Sequence, residues 1–190
     1  MRQRYDFPPF LGEQMAKLTV NDLDLQGKRV FTRVDYNVPM AEQAGAMVIN
    51  DDTRILATLP TLKAMIDKGA RIILTAHLGR PKGERVPSMS LRPVADKLAD
   101  LIGQPVAFCD QCVGDSVAEA VNQLEDGGLL LLENVRYHAE EEANDAAFAE
   151  QLATNADVYV NDAFGAAHRA HASTAGVASV IAARGGQCAA

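Results

Sequence analysis

Four arginines stand in the polar segments that follow apolar runs of this chain: Arg54 after the loop beyond Val34, Arg80 after Ala76, Arg136 after Leu132, and Arg169 after Val160. A guanidinium is permanently charged and forks to carboxylate or phosphate through two parallel hydrogen bonds. A single arginine more commonly makes a surface salt bridge of little consequence. Four in equivalent positions point instead to a small polyanion, with phosphate at one end and carboxylate at the other. Asp35 and Asn37 are placed to bind hydroxyls between the two, and His77 to donate to the phosphate. Arg85 is a weaker fifth cation from the loop of Arg80, and Arg33 is set aside because it lies within a strand. Asn134, Asn161 and Asp162 also stand at strand ends. His168 and His171 with Asp162 or His77 could be imagined as a metal site, but no third fixed ligand accompanies them, so local hydrogen bonding is the favoured reading.

For these residues to meet, the apolar runs must be parallel strands, because ligands in open α/β sheets bind beyond the carboxyl ends of the strands. Residues 29–34, 71–76, 106–109, 129–132 and 158–160 have the apolar, β-branched character of buried strands. Amphipathic helical stretches alternate with them, at 53–66, 91–102, 115–124 and from the acidic run Glu140-Glu141-Glu142 to about Asn155. Asn50-Asp51-Asp52-Thr53 and Ser90 are N-cap chemistry. Pro60 is expected near the first turns of its helix or at a kink, and a loop or hairpin is expected around Gly45. The acidic run reads as a solvated helix start favoured by the macrodipole. The pattern predicts an α/β fold: a single three-layer α/β/α domain, Rossmann-like, with a mostly parallel sheet and right-handed crossovers.

Composition narrows the function classes. With 190 residues and 48% hydrophobic content the chain suits one domain with a full core. A formal charge of −7 opposes non-specific binding to nucleic acid or an anionic membrane, so a bound anion must be met locally. No apolar run approaches the roughly 20 residues of a membrane span, and MRQRYDFPPFLGEQ lacks the apolar core of a signal peptide, so a cytoplasmic protein is expected. Cys109 and Cys112 have C-x-x-C spacing, but without a second pair or a helix start after Cys109 they read as reduced, inert thiols. Residues 1–14 are expected to be an unstructured extension before a native start at Met15.

Five motifs then carry a resemblance: RVDYNVP at 33–39, DDTRI at 51–55, AHLGRPKGE at 76–84, LLENVRYHAEEE at 131–142 and VNDAFGAAHRAHAS at 160–173. In this order the chain resembles the N-terminal, 3-phosphoglycerate-binding domain of phosphoglycerate kinase, over about residues 16–176. The resemblance implies that Asp35, Asn37 and Arg54 hold the carboxylate and hydroxyl end of 3-phosphoglycerate, and that His77, Arg80, Arg136 and Arg169 hold its phosphate. It implies reversible phosphoryl transfer between 1,3-bisphosphoglycerate and ADP, with Arg54 catalytic, in a monomeric glycolytic enzyme. Mg-ATP or Mg-ADP would be bound by a C-terminal domain that does not follow here. Tyr36 stands where the family usually has Phe. Residues 177–190 read as a non-family tail, and Arg184-Gly185-Gly186-Gln187 lacks the lysine of a nucleotide loop. Two functions stay open: the acceptor-substrate half of a kinase, and a non-catalytic binding module for small phosphorylated carboxylates.

Overall fold

The runs of apolar residues in this chain alternate between two destinations, which is what a parallel sheet covered on both faces requires. A computed structural model describes residues 18–163, 165 and 169–189; the expected extension 1–14 and start at Met15 lie outside them. Strands β1 (Arg29–Val34), a hairpin of β2 (Met40–Gln43) and β3 (Ala46–Ile49), β4 (Arg71–Thr75), β5 (Val106–Cys109), β6 (Leu129–Leu132), β7 (Val158–Asp162) and β8 (Cys188–Ala189) are joined by helices. These are α1 (Thr53–Asp67), α2 (Arg92–Ile102), α3 (Asp115–Asn122), α4 (Ala139–Ala143), α5 (Ala146–Ala153) and α6 (Val177–Ala183). The main sheet has the order β5-β6-β4-β1-β7-β8, and each neighbouring pair is parallel.

Val30, Val34, Ile72, Leu74, Leu129, Leu131, Val158 and Val160 pack with α1 and α2 on one face. The intervening Phe31, Ile73, Leu130, Leu132 and Tyr159 pack with α3, α5 and α6 on the other. The expected three layers are therefore present, and β1, β4, β6 and β7 all point their carboxyl ends at one edge. The loop at Gly45 is a hairpin turn in which Ala44 and Gly45 both have positive φ, 51° and 83°, the backbone that matches the twist of a two-residue hairpin.

Local outcomes differ from the sequence expectations at four places. Of the two places expected for Pro60, the first turns are not where it stands: it lies well inside α1, which runs on to Asp67, and lacking an N–H it leaves the Leu56 carbonyl without its helical donor. At the start of α1, Asp52 makes no capping bond and pairs instead with Lys97 at 2.9 Å, while Asp51 accepts from the Thr53 N–H at 2.8 Å. The helix expected from Glu140 to Asn155 is two helices, because Asn144 turns left-handed at φ 52° and Asp145 starts α5 by accepting from the Phe148 N–H at 2.8 Å. Within the acidic run, Glu141 is fully buried, so that segment is not wholly a solvated helix start.

The stretch from Val177, expected as a tail, folds onto the sheet. Val177 and Ile181 of α6 are buried against the face that holds Tyr159, and β8 pairs with β7 through Tyr159–Cys188 and Val160–Ala189. Truncating a buried isoleucine leaves a cavity as well as losing transfer energy. Ile181→Ala is therefore expected to lower the unfolding free energy by about 2–5 kcal/mol, read as a shift of the urea midpoint at constant slope. A change below about 0.5 kcal/mol, the size typical of surface sites, would place α6 off the core.

Candidate functional site

Beyond the carboxyl ends of β1, β4, β6 and β7 lies a cleft of about 290 Å³ lined by Asp35, Asn37, Arg54, His77, Gly79, Arg80, Arg136, Gly165 and Arg169. All seven residues singled out from the sequence stand on its wall. β1 delivers Asp35 and Asn37, α1 delivers Arg54 from its first turn, the segment after β4 delivers His77 to Arg80, and Arg136 sits in the short 3-10 turn after β6. Arg169 comes from the segment after β7; His168 lies outside the described residues.

The end of the cleft that holds Asp35 and Asn37 is tied together by its own hydrogen bonds. Arg54 Nη1 donates to Asp35 Oδ2, and the Gly79 N–H donates to Asn37 Oδ1 at 2.9 Å, so the segments that leave β1 and β4 hold each other. Gly165 passes close to Asp35: a Cβ there would lie 2.6 Å from Asp35 Oδ2, so a larger residue would displace the carboxylate from Arg54. Arg54 is half exposed, while the Asp35 side chain is mostly covered.

The other end holds the crowded cations. Arg136 is 5% exposed and donates through Nη1 to the Gly79 carbonyl at 3.0 Å; its Nε lies 3.4 Å from Glu142 Oε1 without forming a hydrogen bond. Burial above all lowers its affinity for a proton; Arg169 and Arg80 add repulsion, against which Glu142 and Glu141 pull the other way. An anion entering beside Arg136 would relieve that repulsion. His77 is buried and is pushed down to about 2, by burial first and then by Arg33, Arg136, Arg169 and His171. It is therefore a neutral imidazole at working pH. Its Nδ1 lies 2.9 Å from Arg33 Nη2, which can only donate, so the histidine's remaining N–H is on Nε2.

Several sequence readings do not reach the cleft. Asn134 is wholly buried: its Nδ2 donates to the carbonyls of Leu78 at 2.7 Å and Met89 at 2.9 Å, and its Oδ1 accepts from the N–H groups of Leu78 and Arg136. It shapes the loop that carries Arg80 and offers nothing to a ligand. Glu133 works alongside it, accepting from the Leu91 and Asn134 N–H groups and from the Ser90 hydroxyl, each at 2.8 Å. Arg85 donates to the Asp110 carbonyl and lies over the Tyr137 ring, in a separate cleft. Asn161 and Asp162 line another hollow with Pro60 and Thr61. Cys109 and Cys112 are free and buried, and the Cys112 thiol donates to the Glu133 carbonyl at 3.0 Å.

One supporting residue was not legible from the sequence. Arg33, excluded as a strand residue, is 1% exposed directly behind His77. Its only signal was a charge inside an otherwise apolar strand.

The sequence profile of the phosphoglycerate kinase family matches residues 20–189, past Gly176 where the motif resemblance stopped. A phosphoglycerate kinase of Rippkaea orientalis is 60% identical over 166 residues, covering 86% of this chain and 40% of the relative. One of Caulobacter vibrioides is 58% identical over 167 residues, covering 88% and 41%. Among solved structures, phosphoglycerate kinase from Coxiella burnetii superposes with a TM-score of 0.76 at 36% identity, covering 91% of this chain and 41% of the other. The chain thus spans about two fifths of the length of the curated relatives it matches.

Because His77 binds no proton in the folded state above pH 2 but binds one below about 6.5 when unfolded, acid favours unfolding from pH 6.5 downward. The urea midpoint should fall between pH 7.5 and 5, and His77→Gln should narrow that fall. Burial of His138 and His171 leaves part of it in place. An equal fall in His77→Gln would show that the His77 imidazole is not held neutral.

Proposed function

Because the chain belongs to the phosphoglycerate kinase family, we propose that it is the acceptor-substrate half of a phosphoglycerate kinase, binding 3-phosphoglycerate or 1,3-bisphosphoglycerate in the arginine-lined cleft. The observation that carries the proposal is the convergence of Arg54, Arg80, Arg136 and Arg169 with neutral His77 around one cleft, in a chain of net charge −7. A terminal phosphate fits between Arg80, Arg136, Arg169 and the His77 N–H. The carboxylate and hydroxyl fit at Asp35, Asn37 and Arg54.

The chemistry asks little of a proton acceptor. A substrate carboxylate attacking a phosphoryl group carries no proton to be removed, so the work is positioning and charge stabilisation. Arg54 stands at the open, more exposed side of the cleft, and in this proposal stabilises charge on the transferring group. In this proposal Mg-ATP or Mg-ADP belongs to the other half of the enzyme. Cytoplasmic location and a monomeric state belong to the same proposal; no helix among the described residues is long and apolar enough to cross a membrane. A non-catalytic module would bind the same ligand and differs in one respect: supplying the nucleotide half would restore no turnover.

Calorimetric titration with 3-phosphoglycerate is expected to show saturable binding that weakens with salt, since the Debye length shrinks from about 30 Å at 0.01 M to about 10 Å at 0.1 M. Arg80→Ala should weaken it by about 1.5–3 kcal/mol, the size of hydrogen bonds to charged groups. A folded chain that binds no 3-phosphoglycerate at low salt would overturn the half-site reading. In an enzyme carrying both halves, Arg54→Ala should lower kcat far more than it raises KM, and unchanged kcat would remove its catalytic role.

A further inference from the structure

Behind the cleft runs a buried chain of polar groups. Arg33 Nη2 donates to His77 Nδ1 at 2.9 Å, Arg33 Nε donates to Ser173 Oγ at 2.9 Å, and Arg33 Nη1 donates to the Val34 carbonyl. Ser173 Oγ in turn donates to Glu141 Oε1 at 2.6 Å, and the Ser173 N–H donates to Glu141 Oε2 at 2.8 Å. Arg33 is 1% exposed, while Ser173 and Glu141 are fully buried. A cation and an anion are thus linked through one hydroxyl, and the cation's far end meets the rear nitrogen of a site histidine. No carboxylate among the described residues touches His77 to make it a cation.

We propose that Arg33 is a positioning residue of this site: held by Ser173 and Glu141, it fixes His77 as the neutral Nε2–H tautomer, with its one N–H turned to the anion. The inference rests on the proposed function only for the identity of that anion. Arg33 itself adds charge behind the site without reaching the cleft, whose lining does not include it. A guanidinium suits the task because it has donors only: a neutral partner such as glutamine could accept from Nδ1–H and allow the other tautomer. Both facing nitrogens cannot donate, so Arg33 settles which side of the ring carries the proton. The groups facing His77 are Arg33 from β1, Arg136 after β6, and Arg169 and His171 after β7; all oppose protonation of the ring.

Long-range proton–nitrogen correlation spectra of the 15N-labelled chain between pH 5 and 8 test this without any ligand. The His77 signals are identified by their loss in His77→Gln. The expected result is a single Nε2–H tautomer with no titration in that range. An Nδ1–H tautomer, or a titration within the range, overturns the proposal. In Arg33→Met, with circular dichroism unchanged, a second tautomer and a titrating imidazole are expected, together with roughly tenfold weaker 3-phosphoglycerate binding at unchanged salt dependence. A folded Arg33→Met whose His77 spectrum matches the parent overturns the role, since lost packing alone would not set a tautomer. Should Arg33→Met not fold, Ser173→Ala keeps the guanidinium and removes the hydroxyl between it and Glu141. A second His77 tautomer in that variant supports the relay, and an unchanged His77 spectrum rejects it. A parent chain with the locked tautomer but no affinity for 3-phosphoglycerate upholds the positioning role and sinks the proposed ligand.

Discussion

A guanidinium sealed inside a parallel sheet is the constraint to which much of this structure answers. An isolated buried ion is strongly disfavoured, and a buried pair is tolerated only when its geometry and remaining hydrogen bonds are complete. Arg33 sits on β1, in the interior of the sheet between β4 and β7, on the face covered by α3, α5 and α6. Its charge is met by Glu141 of α4 through Ser173, which lies in the turn Ala172–Gly176 just before α6. That requirement draws three stretches together: the carboxyl end of β1, the acidic segment after β6, and the turn after Arg169. The same stretches carry Asp35, Arg136 and Arg169 to the cleft. Replacing either ion singly would strand the other, which couples the support of the site to the integrity of the domain.

The sheet direction supplies the rest of the convergence. Parallel strands send all their exit loops to one edge, so residues far apart in the chain arrive together without long excursions. The consequence is a crowding of like charges that folding alone does not favour. Arg136 shows the tension most directly, being buried, beside Arg80 and Arg169, and lacking a hydrogen bond at Nε. Such frustration is a common mark of a functional site, where local rules give way and the surrounding fold compensates. Here the compensation is visible in Asn134 and Glu133. Both are used entirely on backbone and hydroxyl groups, and they hold the loop that Arg80 and Arg136 must share.

What could be read in the sequence followed from periodicity and strand ends. The strands at 29–34, 106–109 and 129–132 coincide with the observed bounds; the clearest signal is 129–132, four leucines buried on both faces of the sheet. The convergence of seven polar residues followed from the parallel topology. The misses have physical causes. Asn134 and Asn37 both follow closely on the ends of their strands, and only tertiary geometry spends all of one on buried loop backbone while leaving the other on the wall of the cleft. Asn144 breaks a helix through a left-handed backbone that composition does not announce. Glu141 is flanked by two glutamates of identical type, and nothing local says that it alone is buried. Arg33 was passed over because its side-chain partners His77 and Ser173, and Glu141 beyond Ser173, are remote in sequence. β8, two residues long, is too short to carry a period.

The exposure of the cleft's groups divides their tasks. His77 and Arg136 are buried and held by fixed partners, so they offer a preorganised geometry that costs little reordering when an anion arrives. Arg54, Arg80 and Arg169 are exposed, and their attraction reaches outward but is screened by salt. Shape selection therefore belongs to the buried pair and long-range capture to the exposed cations. Arg54 is held by Asp35. In the proposed reaction that pairing has a chemical use. It keeps a cation beside the open side of the cleft, where a phosphoryl donor must approach, without letting that cation collapse onto the phosphate already bound at the far end. Under the proposed function the Asp35 carboxylate would thus orient charge for the transferring group as well as serve the acceptor's hydroxyl.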